Sequence, residues 1–166
     1  MRVRYSIMLA LALVLTLGNA THALATTFGY TATLLGVNEV GPNASPATGN
    51  AFIIYDDVAN TLTTSGAFIG LVAPLTAGHI HGPALPGVNA SVIHGFVGLP
   101  IGATSGAWND VWSGLTPTQV GYLTSGRLYV NLHSQTFPGG EIRGQVVPDA
   151  TPTRALSWGK IKALYR

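Results

Sequence analysis

Residues 126–147 have the sequence GRLYVNLHSQTFPGGEIRGQVV, in which two stretches alternate between apolar and polar side chains. Leu128, Val130 and Leu132 occupy every second position of the first stretch, and residues 142–146 repeat the pattern. A period of two is typical of a β-strand with one buried face. The intervening Pro-Gly-Gly favours a turn. This part of the chain therefore predicts an antiparallel hairpin.

The register of this hairpin decides which polar residues become neighbours. If residue 133 pairs with residue 141, His133 lies beside Glu141 and Asn131 lies beside Arg143, at about 5 Å. Glu39, in the segment GVNEVGP, lies where an earlier strand gives way to a loop. Because only 8% of the residues are charged, we expect a structural polar cluster rather than a solvated surface. Its expected members are Glu39, Asn131, Glu141 and Arg143; the alternative is that they face solvent or tie down loops.

The strand pattern extends over most of the chain. Short segments rich in β-branched and aromatic residues alternate with segments containing Gly, Pro, Asn and Asp. The predicted strands are 28–34, 51–55, 61–69, 91–97, 107–113, 127–133 and 141–147. A helical turn is expected at 116–123. About seven or eight short strands without an internal repeat predict an all-β, antiparallel sandwich or barrel.

Charge is scarce and unevenly distributed. Asp, Glu, Lys and Arg make up 8% of the 166 residues, against about 25% in a typical soluble domain. The formal net charge of +2 comes from the two ends, because residues 26–150 contain two arginines and all six acidic residues. Such a core has no basic stripe that neutralises a phosphate backbone, which argues against nucleic acid as a partner. The absence of cysteine excludes disulfides, thiolate metal ligands and cysteine catalysis.

Residues 1–25 have the pattern of an export signal. Two arginines precede an apolar run at 7–17, and Ala-Leu-Ala at 23–25 resembles a cleavage site. We expect cleavage after Ala25, with a site at 18–20 as second choice and an uncleaved anchor as the alternative, although the run is short for a membrane span. The predicted protein is exported, whether secreted, periplasmic or at the cell surface, and its mature chain has no transmembrane span.

The predicted organisation is a signal peptide at 1–25, one β-domain at 26–148, and a linker with a short tail at 149–166. The tail sequence SWGKIKALYR is basic and would form a short amphipathic helix. Trp158, Ile161 and Leu164 or Tyr165 would share its apolar face. The alternatives are a frayed terminus, a sorting tag, and a contact with a membrane surface or another exported protein.

Histidines are the residues most suited to chemistry. His79 and His81 are two positions apart, so in a strand both imidazoles face the same way and can offer two nitrogens to one metal ion. His94 shares a face with Val92 and Phe96. A packed, hydrogen-bonded histidine is therefore expected at position 94, with a metal ligand as the alternative.

Three motifs, in order, resemble the chordin-type CHRD domain: GVNEVGP at 36–42, GHIHGPA at 78–84, and GRLYVNLH at 126–133 followed by FPGGEIRGQ at 137–145. The resemblance covers about residues 28–147, and GEIRGQ is its most specific part. Gly41 stands where the family usually has a second proline. The resemblance implies an extracellular immunoglobulin-like Greek-key sandwich or barrel, found in secreted microbial proteins and in chordin. It implies no settled biochemical activity.

The implied fold is also similar to copper–zinc superoxide dismutase. Those enzymes carry a His-x-His pair, a bridging histidine, a further histidine near the C-terminus and an arginine beyond it. By this resemblance the matching residues are His79 and His81, His94, His133 and Arg143, which implies a copper site. The zinc-type histidines and the disulfide cysteines have no counterpart, so the resemblance covers the copper side alone.

Two kinds of function are compatible with these features. The first, which we expect, is a secreted non-catalytic CHRD-type binding or structural module, whose partners are extracellular or surface proteins or matrix polymers. No nucleophile-elbow motif, phosphate-binding loop or convincing carboxylate pair is present in the sequence. The second is a copper site formed by His79, His81 and His133, which would hold copper or carry out superoxide chemistry with Arg143 steering the anion. Imidazole nitrogens much more than about 5 Å apart would exclude the copper site.

Overall fold

The computed structural model describes residues 26–149; the predicted export signal and the tail from residue 150 onward lie outside the described residues. Strands dominate this part of the chain. The strands are β1 Thr27–Leu35, β2 Thr48–Asp56, β3 Thr61–Ile69, β4 Leu75–His81, β5 Val92–Gly95, β6 Gly106–Ser113, β7 Tyr129–Ser134, β8 Ile142–Gln145 and β9 Val147–Pro148, with a 3-10 helix at Gly36–Asn38 and a helix α1 at Pro117–Thr124. The predicted all-β class is confirmed, with nine strands of which β9 has two residues.

The strands form one antiparallel sheet that nearly closes into a barrel. Their order is β5-β4-β7-β8-β1-β2-β3-β6, and β9 pairs with β1. The meander β1-β2-β3 and the hairpin β7-β8 join neighbours in sequence, whereas the pairs β4-β7, β8-β1 and β3-β6 join distant segments. In β7-β8, Asn131 pairs with Arg143 and Tyr129 with Gln145, which is the predicted register.

Inward-facing side chains fill the barrel with an apolar core. From Tyr30 in β1 and from Ala51 in β2 onward, every second residue is buried, as the alternation in the sequence predicts. Residues of this core that are at most 1% exposed include Leu34, Ile53, Leu62, Ile80, Leu128, Val130, Leu132 and Ile142. Burial of each such side chain contributes about 1.5–3 kcal/mol relative to exposure, so this core is the main source of the fold's stability.

The two ends of the strand order, β5 and β6, are joined by side chains. Nε2 of His94 lies 2.6 Å from Oδ2 of Asp110, and Oδ1 of Asp110 accepts the backbone N–H of Val97 at 2.9 Å. The His94 ring stacks on Trp112 with centroids 4.9 Å apart. His94 pairs with the core residue Ile80, so it faces away from His79 and His81. The structure therefore uses His94 to close the barrel.

Helix α1 begins with a capping box. The Thr116 side chain accepts the backbone N–H of Gln119, the Gln119 side chain accepts that of Thr116, and Pro117 occupies the first turn. The helix has eight residues, where a single turn was expected. Within residues 26–149, no helix is long and apolar enough to cross a membrane.

The two outer faces of the barrel differ in what lies over them. On the open face, formed by β2, β3 and β6, Phe52, Ile54 and Val111 are 57%, 48% and 54% exposed. On the covered face, formed by β4, β7 and β8, all six residues of β7 are buried. Loops 36–47, 82–91 and 135–141 hydrogen-bond to this covered face and bury its polar side chains.

Candidate functional site

Three imidazoles come together on the covered face. His79 and His81 project to the same side of β4, as their spacing predicts, and His133 reaches them from the adjacent strand β7. One nitrogen from each ring lies within 4.8 Å of the others. Nδ1 of His79 is 2.9 Å from Nε2 of His133. These separations are shorter than the limit of about 5 Å for nitrogens that share one metal ion. We call these residues the histidine cluster.

Backbone carbonyls orient two of the three rings. Nδ1 of His133 lies 3.0 Å from the carbonyl oxygen of Pro138, and Nδ1 of His81 lies 3.0 Å from that of Ala90. A carbonyl oxygen only accepts hydrogen bonds, so both Nδ1 atoms carry a proton and each neutral ring has its lone pair on Nε2. The buried Nε2 of His81 has no hydrogen-bond partner among the described residues.

The histidine cluster is held in its uncharged form. Burial lowers the pKa of His79, His81 and His133 below the usual 6.5, because the charged imidazolium loses hydration. The carbonyl hydrogen bonds of His81 and His133 oppose this shift in part, and the neighbouring histidines add to it. At pH 7 the rings are therefore neutral, which is the state in which an imidazole binds a metal ion.

Tyr129 connects the histidine cluster to Arg143. The His81 ring stacks on Tyr129 with centroids 4.7 Å apart and an angle of 4° between the planes. The guanidinium carbon of Arg143 lies 3.4 Å from the centroid of the same ring. The two groups would collide on one face of the ring, so they occupy opposite faces. Arg143 also donates to the carbonyl oxygen of Val88 at 2.7 Å and to Oδ1 of Asn89 at 3.1 Å, which fixes loop 82–91.

Glu39 brings a second loop onto the covered face. Its Oε1 accepts a hydrogen bond from Nδ2 of Asn131, and the residue is 8% exposed. Burial raises the pKa of Glu39 to about 7, although the nearby Arg143 and the Asn131 hydrogen bond lower it in part. Glu39, Asn131 and Arg143, three members of the expected polar cluster, thus lie together and hold loops over β7.

Glu141, the fourth expected member, makes a different set of contacts. Its Oε1 accepts from Oγ of Ser45 at 2.6 Å and from the backbone N–H of Val72 at 2.8 Å. Strand pairing ends at Leu132 and Ile142, one residue before the expected pair of Glu141 with His133. The carboxylate therefore anchors the loops around Ser45 and Val72, while His133 bonds to Pro138 and His79.

Several residues of these sites carry weak signals in the sequence. Asp110 shares the inward face of β6 with Trp108 and Trp112. An acidic residue on a buried face needs a partner, which points to a contact such as that with His94. The only signal for Tyr129 in the sequence is that it lies on the same face of the predicted strand as Asn131. No local pattern identifies loop residues such as Asn89 and Ser45, because their partners lie 54 and 96 positions away.

A cleft of about 510 Å³ opens beside Glu39. It is lined by residues 37–42, by Pro86 and Gly87, and by Arg143 and Gln145. Val37 and Val40 are 65% and 43% exposed, whereas Glu39 and Arg143 are almost fully buried. The cleft therefore has exposed apolar walls that are held in place by two buried polar groups.

Comparison with known proteins identifies one relationship. The family model described as CHRD domain matches residues 30–146, which contain β2 to β8 and most of β1. The match therefore includes both the histidine cluster and the cleft. Neither the curated proteins nor the solved structures contain a significant match to the chain.

Proposed function

Since the chain belongs to the CHRD domain family, we propose that it is an exported, non-catalytic module that binds a partner outside the cell. The observation that carries this proposal is that the buried polar side chains of the covered face hold the surrounding loops. Arg143, Glu39 and Glu141 each hydrogen-bond to a loop or to the strand beneath it. Their contacts keep loops in fixed positions, which is what a preformed binding surface needs.

The cleft is the surface that these contacts shape. Loop 82–91 forms one wall and is held by Arg143, while residues 37–42 form the other and are held through Glu39. The exposed Val37 and Val40 offer apolar area to a partner. A partner that fills the cleft gains from their burial at little cost in loop ordering. The proposed partner is an extracellular or surface protein or a matrix polymer.

Superoxide chemistry receives less support from the geometry. The expected steering residue, Arg143, is 2% exposed, and Tyr129, Val88 and Asn89 engage its guanidinium. A charge that attracts a small anion acts best when it faces the solvent path to the reaction centre. We therefore assign Arg143 a structural role in the proposed module.

The binding proposal is tested by comparing two charge substitutions on different sides of the barrel. Val40→Asp places a charge in the wall of the cleft, and Val111→Asp places one on the open face at similar exposure. The measurement is the fraction of exported protein retained on washed cells of the producing organism. We expect Val40→Asp to reduce retention about tenfold, as loss of a binding hot spot does, and Val111→Asp to leave it unchanged. Equal retention of both variants would show that the cleft does not bind the partner.

A further inference from the structure

We propose that His79, His81 and His133 form a binding site for one copper(II) ion. The site goes beyond the proposed binding function, because none of its three ligands lines the cleft. Failure of the cleft to bind a partner would therefore leave the copper site standing, and the reverse is also true.

The direction of the lone pairs is the first argument. The Nδ1 protons of His81 and His133 are directed to the carbonyl oxygens of Ala90 and Pro138. The lone pair on Nε2 of each ring is therefore the one that can bind a metal ion. In metal sites, a histidine ligand commonly donates its second N–H to a carbonyl or carboxylate, which fixes the ring and its tautomer. His81 and His133 already make this hydrogen bond to a backbone carbonyl.

The unpaired nitrogen of His81 is the second argument. Its Nε2 is buried and has no hydrogen-bond partner within residues 26–149, although the other two rings are bonded to each other. A hydrogen-bonded pair of His79 and His133 alone would explain the position of those two residues. Five other buried side-chain atoms of the described residues also lack a partner, and what distinguishes His81 is that its ring lies beside two further imidazoles. A metal ion satisfies all three nitrogens together.

The distances are the third argument. Two nitrogens bound at about 2.1 Å to one ion are at most about 4.2 Å apart, so the observed limit of 4.8 Å requires a movement of only about half an ångström. The ion takes the place of the proton between Nδ1 of His79 and Nε2 of His133. His79 then carries its proton on Nε2, and the total number of protons on the three neutral rings is unchanged.

The donor set favours copper. Three neutral imidazoles suit zinc, copper and nickel, and copper(II) binds most tightly of the divalent first-row ions. His79 is the half-buried member of the cluster, so the ion enters and water completes the coordination on its side.

Copper titration of the purified exported protein tests the site. Copper(II) is supplied as its glycine complex, binding is followed by calorimetry, and electron paramagnetic resonance reports the bound ion. We expect one copper per chain, with hyperfine splitting from three nitrogens. His79→Gln and His81→Gln should each weaken binding by more than about tenfold, the lower end of what loss of an outer-shell partner costs. The matched control is His94→Gln, which removes a histidine outside the cluster and should bind copper as the wild type does.

Three results would overturn the proposal. The first is the absence of stoichiometric copper binding by the wild type. The second is unchanged binding in the His79→Gln and His81→Gln variants, with circular dichroism showing that they are folded. The third is displacement of copper by an equimolar amount of zinc, which would mean that the geometry selects a tetrahedral ion. If a variant does not fold, the number of nitrogens in the wild-type resonance spectrum still decides the ligand set.

Discussion

The open and the covered face of the barrel have the same strand pattern but opposite surroundings. On the open face, the outward residues Phe52 and Ile54 are apolar and reach solvent. On the covered face, the outward residues Asn131, His133 and Arg143 are polar and are buried. Alternation in a strand therefore shows which side a residue faces, whereas the loops decide whether that side is wet or dry.

The difference has an energetic consequence. An exposed apolar residue contributes no burial energy to the fold, but it leaves no hydrogen-bonding group without a partner. A buried polar residue costs about 1–3 kcal/mol unless each of its hydrogen-bonding atoms finds a partner. On the covered face these partners come from loops, as in the contacts of Arg143 with Val88 and of Glu141 with Ser45. Substitutions there should loosen whole loops, while those on the open face should stay local.

The largest expected effect is at the loop between β7 and β8. Gly140 has a φ of +134°, and a Cβ atom at this position would collide with the side chains of Asn131 and Glu39. Gly140→Ala should therefore lower the free energy of unfolding by about 2–4 kcal/mol, since backbone strain and steric overlap add. The adjacent Gly139 is a matched control, because a Cβ there meets nothing within 4 Å. Urea unfolding in which both alanine variants lose equal stability would contradict this account of the covered face.

A smaller effect is expected at Arg143. Arg143→Ala removes two hydrogen bonds to loop 82–91 and the contact with Tyr129, and should cost about 1–3 kcal/mol. Phe52→Thr, on the open face, should change the stability by less than about 0.5 kcal/mol, as ordinary surface substitutions do. Thermal unfolding of the two variants measures the contrast. A near-zero shift for Arg143→Ala would mean that the guanidinium is free for a functional role.

The last expected effect depends on pH and concerns Glu39. Its pKa is about 7 in the folded protein, against an ordinary value of 4.5. Between these values the folded state holds a proton that the unfolded chain has released, so the free energy of unfolding falls as the pH rises, and the loss is complete about one pH unit above the folded-state pKa. Glu39→Gln does not titrate. The stability of the wild type relative to this variant should therefore decrease, by at most about 3 kcal/mol, from pH 4 to pH 8. Parallel stability profiles in urea would show that Glu39 is not buried as described.

Much of the fold was predictable because its signals are local. The strand at 61–69 has the predicted bounds, and the β7-β8 register follows from alternation on both sides of a short loop. The pairing of β3 with β6 and of β4 with β7 had no such signal, because the partners are far apart in sequence. The strand β4 was foreseen only around His79 and His81.

The candidate site was predictable in part for the same reason. The spacing of His79 and His81 places them on one face through the period of a strand, whatever the rest of the chain does. Their meeting with His133 depends on the pairing of β4 with β7. No hydrogen bond joins His133 to Glu141 among the described residues, since the ladder ends one residue before them and other atoms bond to both side chains.

The sequence by itself determined the strands, their buried sides and the residues that face the same way, because these follow from a repeat of two along the chain. Only the tertiary structure decided that one outer face would be dry. Glu39 meets Asn131 across 92 residues and Ser45 meets Glu141 across 96, and such contacts depend on how the whole sheet closes. Closure turned outward polar residues into a buried layer, and within that layer three imidazoles became neighbours.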